Sequence, residues 1–255
     1  MNQLQISIKK ELMELFRSKK ILILAILFLF VSVSSPILAK LIPTIFKTIP
    51  GIGEITIPDA TWRDAIDQFI KNANQFIGIV IVFMFAGAIA EEKNKKTLEI
   101  VLTKPISRAK FLLGKYFSGF TALALGMLAG SAIFYYYAVS IFGSFSINNF
   151  AFLSLFLFVY FVLIFALTIF ASTISGSQLV AIALAFFVEI IFATVLNYVD
   201  AIKNYLPTYI VSHYKDLMSN GNIRDFLPSI YVSLALIVLL VIASISIFKR
   251  QEIER

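Results

Sequence analysis

Six long apolar segments alternate with polar segments along the chain, and each is close to the length that a helix needs to cross a bilayer. A hydrocarbon layer about 30 Å thick requires roughly 20 helical residues, and only structures that satisfy their own backbone hydrogen bonds can face lipid. The pattern therefore predicts an all-α polytopic membrane protein. Its six transmembrane helices are expected at residues 21–39, 75–90, 117–142, 150–171, 179–196 and 229–248.

The segment 1–20 has a different periodicity. Apolar side chains recur at helical spacing, at Leu4, Ile8, Leu12 and Leu15 with Phe16, while polar ones occupy other positions. This spacing predicts an amphipathic interfacial helix that lies in the headgroup plane. The alternative is a solvated basic leader that only fixes the topology.

The remaining polar segments are connections and a tail. They comprise two outer loops, 40–74 and 197–228, an inner connection, 91–116, and a short tail, 249–255. The second half of the first outer loop, at about 59–70, has helical spacing. None of these segments is large enough for a separate catalytic domain, so the six-helix domain 21–248 is expected to carry the function.

Composition supports the membrane assignment and removes several kinds of chemistry. Hydrophobic residues make up 59% of the chain and charged residues 15%, far from the soluble average of about a quarter charged. The chain has no cysteine and a single histidine, His213. Disulfides, thiolate metal sites and multi-histidine metal centres are therefore excluded.

The distribution of Lys and Arg predicts the orientation. Most of the 22 basic residues lie in the N-terminal arm, in the connection 91–116 and in the tail. By the positive-inside rule these three segments are cytoplasmic, as expected of a multi-pass protein of the cell membrane. The basic residues cluster beside the ends of the spans without exposed aromatic residues between them, which argues against a nucleic-acid partner.

Glu189 is the one carboxylate inside a predicted span. A charge at the bilayer centre costs roughly 3 kcal/mol or more, so the group should be neutral, paired or in contact with water. It is expected either to line a substrate path or to hydrogen-bond a hydroxyl group of a neighbouring helix. Proton relay is less favoured, because no Lys, Arg or His lies within the predicted spans to continue it.

Small residues recur on one face of the third span, at Ala122, Gly126 and Gly130. Such a strip allows a second helix to approach closely. The motif also occurs by chance in apolar sequence, so it predicts helix packing and nothing more specific.

No motif for nucleotide hydrolysis is found. Gly114 and Lys115 are the nearest approach to a phosphate-binding loop, but Ala109 stands where the first glycine is needed and Tyr116 where the hydroxyl for Mg²⁺ is needed. The chain is therefore expected not to be an enzyme and to hold no cofactor or metal.

The connection 91–116 contains a short apolar stripe. If its first half is helical, Leu98, Val101 and Leu102 share one face, and Glu92 with Lys96 and Lys95 with Glu99 form pairs of opposite charge. Pro105 ends that helix, and Ser107 can cap the next one. The stripe is expected to dock a cytoplasmic partner; the alternative is that it folds back onto the membrane surface.

The same connection resembles the inner-loop signature of type 2 ATP-binding cassette (ABC) transporter permeases. The resemblance is carried by Glu91-Glu92, by Thr97-Leu98-Glu99-Ile100-Val101-Leu102, by Pro105-Ile106-Ser107-Arg108 and by Gly114-Lys115. The six spans, the amphipathic helix and the long last outer loop are similar too. One departure is Lys96, where such permeases usually have glycine.

The resemblance implies a permease subunit that dimerises, as a homodimer or a related heterodimer, and binds a separate ABC-type subunit in which ATP and Mg are held. The connection would be a cytoplasmic coupling helix, the N-terminal helix a second contact, and residues 201–226 part of an outer gate. The implied function is ATP-driven transport in the direction of export; a non-transporting scaffold or sensor is the alternative. The residues expected to contact the ATPase subunit are Glu92, Thr97, Leu98, Glu99, Val101, Leu102, Pro105 and Arg108.

Overall fold

The computed structural model describes residues 3–48, 58–95, 107–192, 199, 202–219 and 223–251, with the backbone alone for residues 47 and 48. Every regular element in these ranges is a helix, which confirms the predicted all-α fold. Five helices are long and apolar enough to cross a membrane: Lys20–Phe46, Trp62–Asn94, Arg108–Phe142, Ile147–Ile174 and Ile223–Arg250. The predicted span 179–196 contains the shorter apolar helix Gln178–Ile190, and because residues 193–198 lie outside the described ranges, a sixth crossing stays a prediction.

The N-terminal region forms two helices, α1 (Gln3–Arg17) and α2 (Lys20–Thr48). Lys19, with φ of 60°, turns the chain between them. Helix α2 runs past the predicted end of the first span and includes Pro36 and Pro43, so the predicted outer loop 40–74 begins as helix. Transmembrane helices tolerate proline because nearby hydroxyl groups and neighbouring helices satisfy the freed backbone groups.

The second span is longer than predicted and is interrupted. Helix α3 (Trp62–Asn72) begins at a capping box formed by Thr61 and Asp64, which confirms the helix expected near 59–70. It continues through a π-helical turn (Ala73–Ile77) into α4 (Gly78–Phe85) and, after a break at Ala86, into α5 (Gly87–Asn94). At 1.5 Å per residue the 33 residues from Trp62 to Asn94 extend about 50 Å, more than the full bilayer thickness of about 45 Å.

Two long helices form the centre of the bundle, α6 (Arg108–Phe142) and α7 (Ile147–Ile174). The Ser107 side chain accepts a hydrogen bond from the Lys110 amide at the start of α6, as predicted. Helix α2 lies against the face of α6 that carries the small residues. A Cβ atom added to Gly126 would lie 2.5 Å from the ring of Phe28, and one added to Gly130 would lie 3.0 Å from the Ser32 hydroxyl.

The other elements are α8 (Gln178–Ile190), two 3-10 turns (Lys203–Tyr205 and Ile223–Phe226), α9 (Tyr209–Met218) and α10 (Leu227–Arg250). Helix α9 is tied to α3, because the Asp67 carboxylate accepts hydrogen bonds from Tyr214 and Lys215 of α9. Tyr214 is buried. The described part of the segment between the fifth and sixth predicted spans, residues 202–219 and 223–226, thus forms a folded cap over one end of the bundle.

Candidate functional site at the connection end of the bundle

The apolar stripe of the connection and most of its predicted contact residues cannot be placed. Thr97, Leu98, Glu99, Val101, Leu102 and Pro105 lie outside the described residues. Glu92 and Arg108, the predicted contacts on either side of them, are described, and their partners show how the two ends of the connection are attached to the bundle.

Lys115 is the centre of a buried ionic cluster. Its ammonium group lies 2.8 Å from Oε1 of Glu92 and 3.1 Å from Oε2 of Glu11, and 4.9 Å from the centre of the Phe111 ring. The side chain of Lys115 is 5% exposed, that of Glu11 6% and that of Glu92 17%. One lysine therefore joins three helices: α1 at the N-terminus, α5 before the connection and α6 after it.

This cluster resembles a cation site in its geometry only. Oxygen atoms of Glu11, Glu14 and Glu92 all lie within 4.8 Å of one another, close enough to share an ion. The ammonium groups of Lys115 and Lys10 already lie at these carboxylates, since Lys10 is 3.1 Å from Glu11. The positive charge that the carboxylates require is thus supplied by the chain itself.

Helix α1 packs on α6 with a face that overlaps the predicted apolar stripe in part. Its buried residues are Ser7, Glu11 and Leu15; Leu15 belongs to the predicted stripe, and Leu4, Ile8 and Leu12 of that stripe are half-buried. The approach is close because α6 has a glycine there: a Cβ atom on Gly114 would lie 2.2 Å from the Ser7 hydroxyl. A small residue and a buried ion pair, in addition to the apolar side chains, hold this helix against its neighbour.

The outward face of α1 combines apolar and basic side chains. Ile6, Met13 and Phe16 are exposed large hydrophobics, and Lys9 and Arg17 on the same side are exposed as well. This combination suits an interface with anionic headgroups, as well as a protein partner. The position of α1 in the headgroup plane stays a prediction, and the face expected to contact the headgroups is this exposed one.

The break in span two is held by side chains from three other helices. The carbonyl groups of Phe83 and Met84, next to the break at Ala86, accept hydrogen bonds from Gln178 (3.2 Å) and from Lys20 (3.0 Å). On its other side the amides of Ile89 and Ala90 both donate to the Ser172 hydroxyl at 3.0 Å. Backbone groups that an unbroken helix would pair internally are therefore satisfied by α2, α7 and α8.

Arg108 attaches the other end of the connection to the last helix. Its Nη1 atom donates to the carbonyl groups of Phe248 (3.3 Å), Lys249 (3.2 Å) and Gln251 (2.6 Å). These carbonyls lie at the C-terminus of α10 and on the residue that follows it, where a cation is favoured both by hydrogen bonding and by the helix dipole. The Gln251 side chain in turn donates to the Thr173 carbonyl at 2.9 Å, which also accepts from Lys93.

The surface beside the connection carries an exposed ion pair, Lys95 with Glu91 at 2.7 Å. The hydrogen bond from Lys95 to Glu91 and the charge of Glu91 raise the pKa of Lys95 above its ordinary value. The sequence suggested pairing of Lys95 with Glu99 and of Glu92 with Lys96. In the structure Lys95 pairs with Glu91 and Glu92 with Lys115. Lys96 and Glu99 lie outside the described residues, so the two suggested pairs stay predictions.

Glu189 lies away from this end, on α8. Its carboxyl group hydrogen-bonds with the hydroxyl of Tyr160 on α7, and its Oε1 atom lies near Gly78 of α4, 3.8 Å from where a Cβ atom on that glycine would be. Three helices therefore meet at this carboxyl group. The sequence identified the acid, but not its partner.

Comparisons with known proteins agree with the sequence pattern over almost the whole chain. Residues 5–253 match the family model described as ABC-2 family transporter protein, which confirms the resemblance to type 2 ABC permeases. The chain is also 24% identical, over 251 residues and 96% of each chain, to the uncharacterized transmembrane protein YxlG of Bacillus subtilis (strain 168).

Proposed function

This chain belongs to the ABC-2 family of transporter proteins, and from that premise we propose that it is the membrane subunit of an exporter driven by a separate ATPase subunit. Family membership makes it a multi-pass permease component of an ABC transporter and implies an ATP-binding partner. Export as the direction of transport and the segment 91–116 as the point of coupling are the proposed parts.

The observation that carries the proposal is the attachment of both ends of this segment. Before it, Glu92 is paired with Lys115, which also holds α1 through Glu11. After it, Arg108 binds the end of α10. Any movement of the segment is therefore transmitted directly to α1, α5, α6 and α10, which is what a coupling element must do.

The docking surface itself rests on the sequence pattern. Leu98, Val101 and Leu102 would supply the area buried against the ATPase subunit, and Glu99 would set the register by charge. Since Glu92 and Arg108 have partners within the chain, their proposed part is to hold the docking helix in place. The exposed face of α1 supplies a second contact.

The proposed orientation in the membrane is inferred from the end of the bundle at which the connection lies. Helix α1, both ends of the connection, the end of α7 and the end of α10 are joined there by hydrogen bonds. With the distribution of basic residues, this supports a cytoplasmic position for both termini in the cell membrane. Two copies of the chain, or this chain and a related one, would complete the transport path.

The test is co-purification of the chain with an ABC-type ATPase encoded beside it. Leu98→Asp with Leu102→Asp should abolish co-purification, because two carboxylates would have to be desolvated in an apolar contact. Lys95→Gln is a matched control, since it changes the charge of an exposed residue on the same surface and should leave assembly unchanged. The wild type, the double aspartate variant and Lys95→Gln should insert into the membrane equally well, as monitored by size-exclusion chromatography of the extracted proteins.

Assembly unaffected by the two aspartates would refute the docking surface. ATP turnover by the complex separates the two functional alternatives. A transporter should stimulate or restrain the turnover of its ATPase, whereas binding without any change in turnover would favour the scaffold or sensor.

A further inference from the structure

A cavity of about 130 Å³ lies between α7, α8 and α10, beside Glu189. Pro207 and Thr208 of the cap between α8 and α10 form part of its lining, and leucine and isoleucine side chains of α7 and α10 form most of the rest. Tyr160 and Phe192 add two aromatic rings. Since a water molecule takes up roughly 30 Å³ in the liquid, the cavity has room for a small head group and a few carbon atoms.

The carboxyl group at this cavity is not fully satisfied. One side of it is occupied by the Tyr160 hydroxyl, but its Oε2 atom is buried and has no hydrogen-bond partner among the described residues. A buried polar atom without a partner costs about 1–3 kcal/mol, and an acid within the membrane is by default a candidate for function. A structural bond to Tyr160 accounts for only one of its two oxygens.

Three features define the chemistry that would fit. A carboxylate attracts a cation, aromatic rings attract an ammonium group through their faces, and the apolar lining favours a hydrocarbon body. Glu189 follows the first residue of α8 by eleven positions, about 17 Å along the helix, which places it near the middle of the bilayer.

We propose that this cavity is a substrate site for hydrophobic amines, in which Glu189 binds the ammonium group, the first carbon atoms lie against α7 and α10, and the rest of a longer chain extends out of the cavity into the bilayer. The site lies between the bilayer centre and the cap, so an amine bound there has moved away from the cytoplasmic surface. The proposal rests on the proposed transport function and gives it a substrate class.

The experiment measures binding of decylamine and of decanol to the full chain in nanodiscs, with empty nanodiscs as the blank. The two probes share a hydrocarbon chain and differ in the charged group. Decylamine should bind the wild-type protein at least tenfold more tightly than decanol. Glu189→Gln should abolish that difference, and Tyr160→Phe should reduce it, whereas Tyr135→Phe, the same change on α6 outside this cavity, should have no effect.

A second variant guards against loss of folding in Glu189→Gln. Leu240→Phe keeps the carboxyl group and reduces the cavity volume, and it should weaken binding of both probes. Equal binding of decylamine and decanol to the wild type, or decylamine binding unchanged in Glu189→Gln, would overturn the proposal and leave Glu189 as an interhelix hydrogen bond. Co-purification with the ATPase, measured on the same preparations, shows separately whether the proposed function holds.

Discussion

The buried cluster around Lys115 makes the strongest prediction about how α1 is held. In Lys115→Met the side chain keeps its length but loses its charge, so the carboxylates of Glu11 and Glu92 remain in the same small volume without the cation that both contact. We expect α1 to detach from α6 far more often in this variant than in the wild type.

The magnitude follows from the two contacts. At an effective dielectric constant of about 20, charges about 3 Å apart attract by roughly 5 kcal/mol, and repulsion between the carboxylates together with their desolvation offsets part of this. Removing one partner of a buried ion pair costs about 3–5 kcal/mol. Because 1.4 kcal/mol is a factor of ten, the opening equilibrium of α1 should increase more than a hundredfold.

The assay uses the absence of native cysteine. Ser7 is 1% exposed, against α6, so a single Ser7→Cys thiol should react with a labelling reagent only when α1 opens. Lys115→Met in this background should label at least a hundredfold faster, and Lys95→Gln should label at the rate of the background. The triple variant Glu11→Gln, Glu92→Gln, Lys115→Met should recover most of the protection, since it leaves no buried charge. Equal labelling of Lys115→Met and its background would refute the reasoning, as would a triple variant that labels as fast as Lys115→Met.

Two further predictions concern single contacts at the same end of the bundle. Gly114→Ala should make α1 more sensitive to limited proteolysis, because its methyl group would lie 2.2 Å from the Ser7 hydroxyl and 3.2 Å from the Ser7 backbone. Gly176→Ala is the control, since its methyl group would have no atom within 4 Å. Equal cleavage of the two variants would contradict the close approach of α1 to α6. Ser172→Ala should lower the free energy of unfolding by about 1–3 kcal/mol, because two backbone amides lose their acceptor, whereas Ser154→Ala on the same helix removes a hydroxyl with no partner among the described residues and should change it little. A thermal unfolding series in detergent measures the two serine variants. A Ser172→Ala protein as stable as the wild type would show that the amides find another acceptor.

The helices and the family could be predicted from the sequence because both depend on local information. Apolar length predicts a span wherever it occurs, and the family signature lies within one segment. Ser107 as the cap of α6 is likewise a local feature, since its hydroxyl binds an amide three residues away.

The partners of charged residues could not be predicted, because they lie far apart in the chain. Lys115 and Glu11 are 104 positions apart, and Arg108 and Gln251 are 143 apart. The apolar stripe of α1 identified only part of its buried face for the same reason: Gly114 and Lys115 contact Ser7 and Glu11, and they belong to another helix. The break at Ala86 is not marked by a proline in the sequence. It is stabilised by the side chains of Lys20, Ser172 and Gln178, which hydrogen-bond to the backbone groups on either side of it.

The ionic cluster also limits the order in which its residues can change as the sequence diverges. The buried members of the cluster are two carboxylates and one ammonium group, which leave one negative charge in excess, so replacing either glutamate first leaves a balanced pair. Replacing the lysine first leaves two buried anions and should be eliminated by selection. Drift at these three positions should therefore begin with Glu11 or Glu92 and reach Lys115 last, so that related chains lacking the lysine should also lack at least one of the acids.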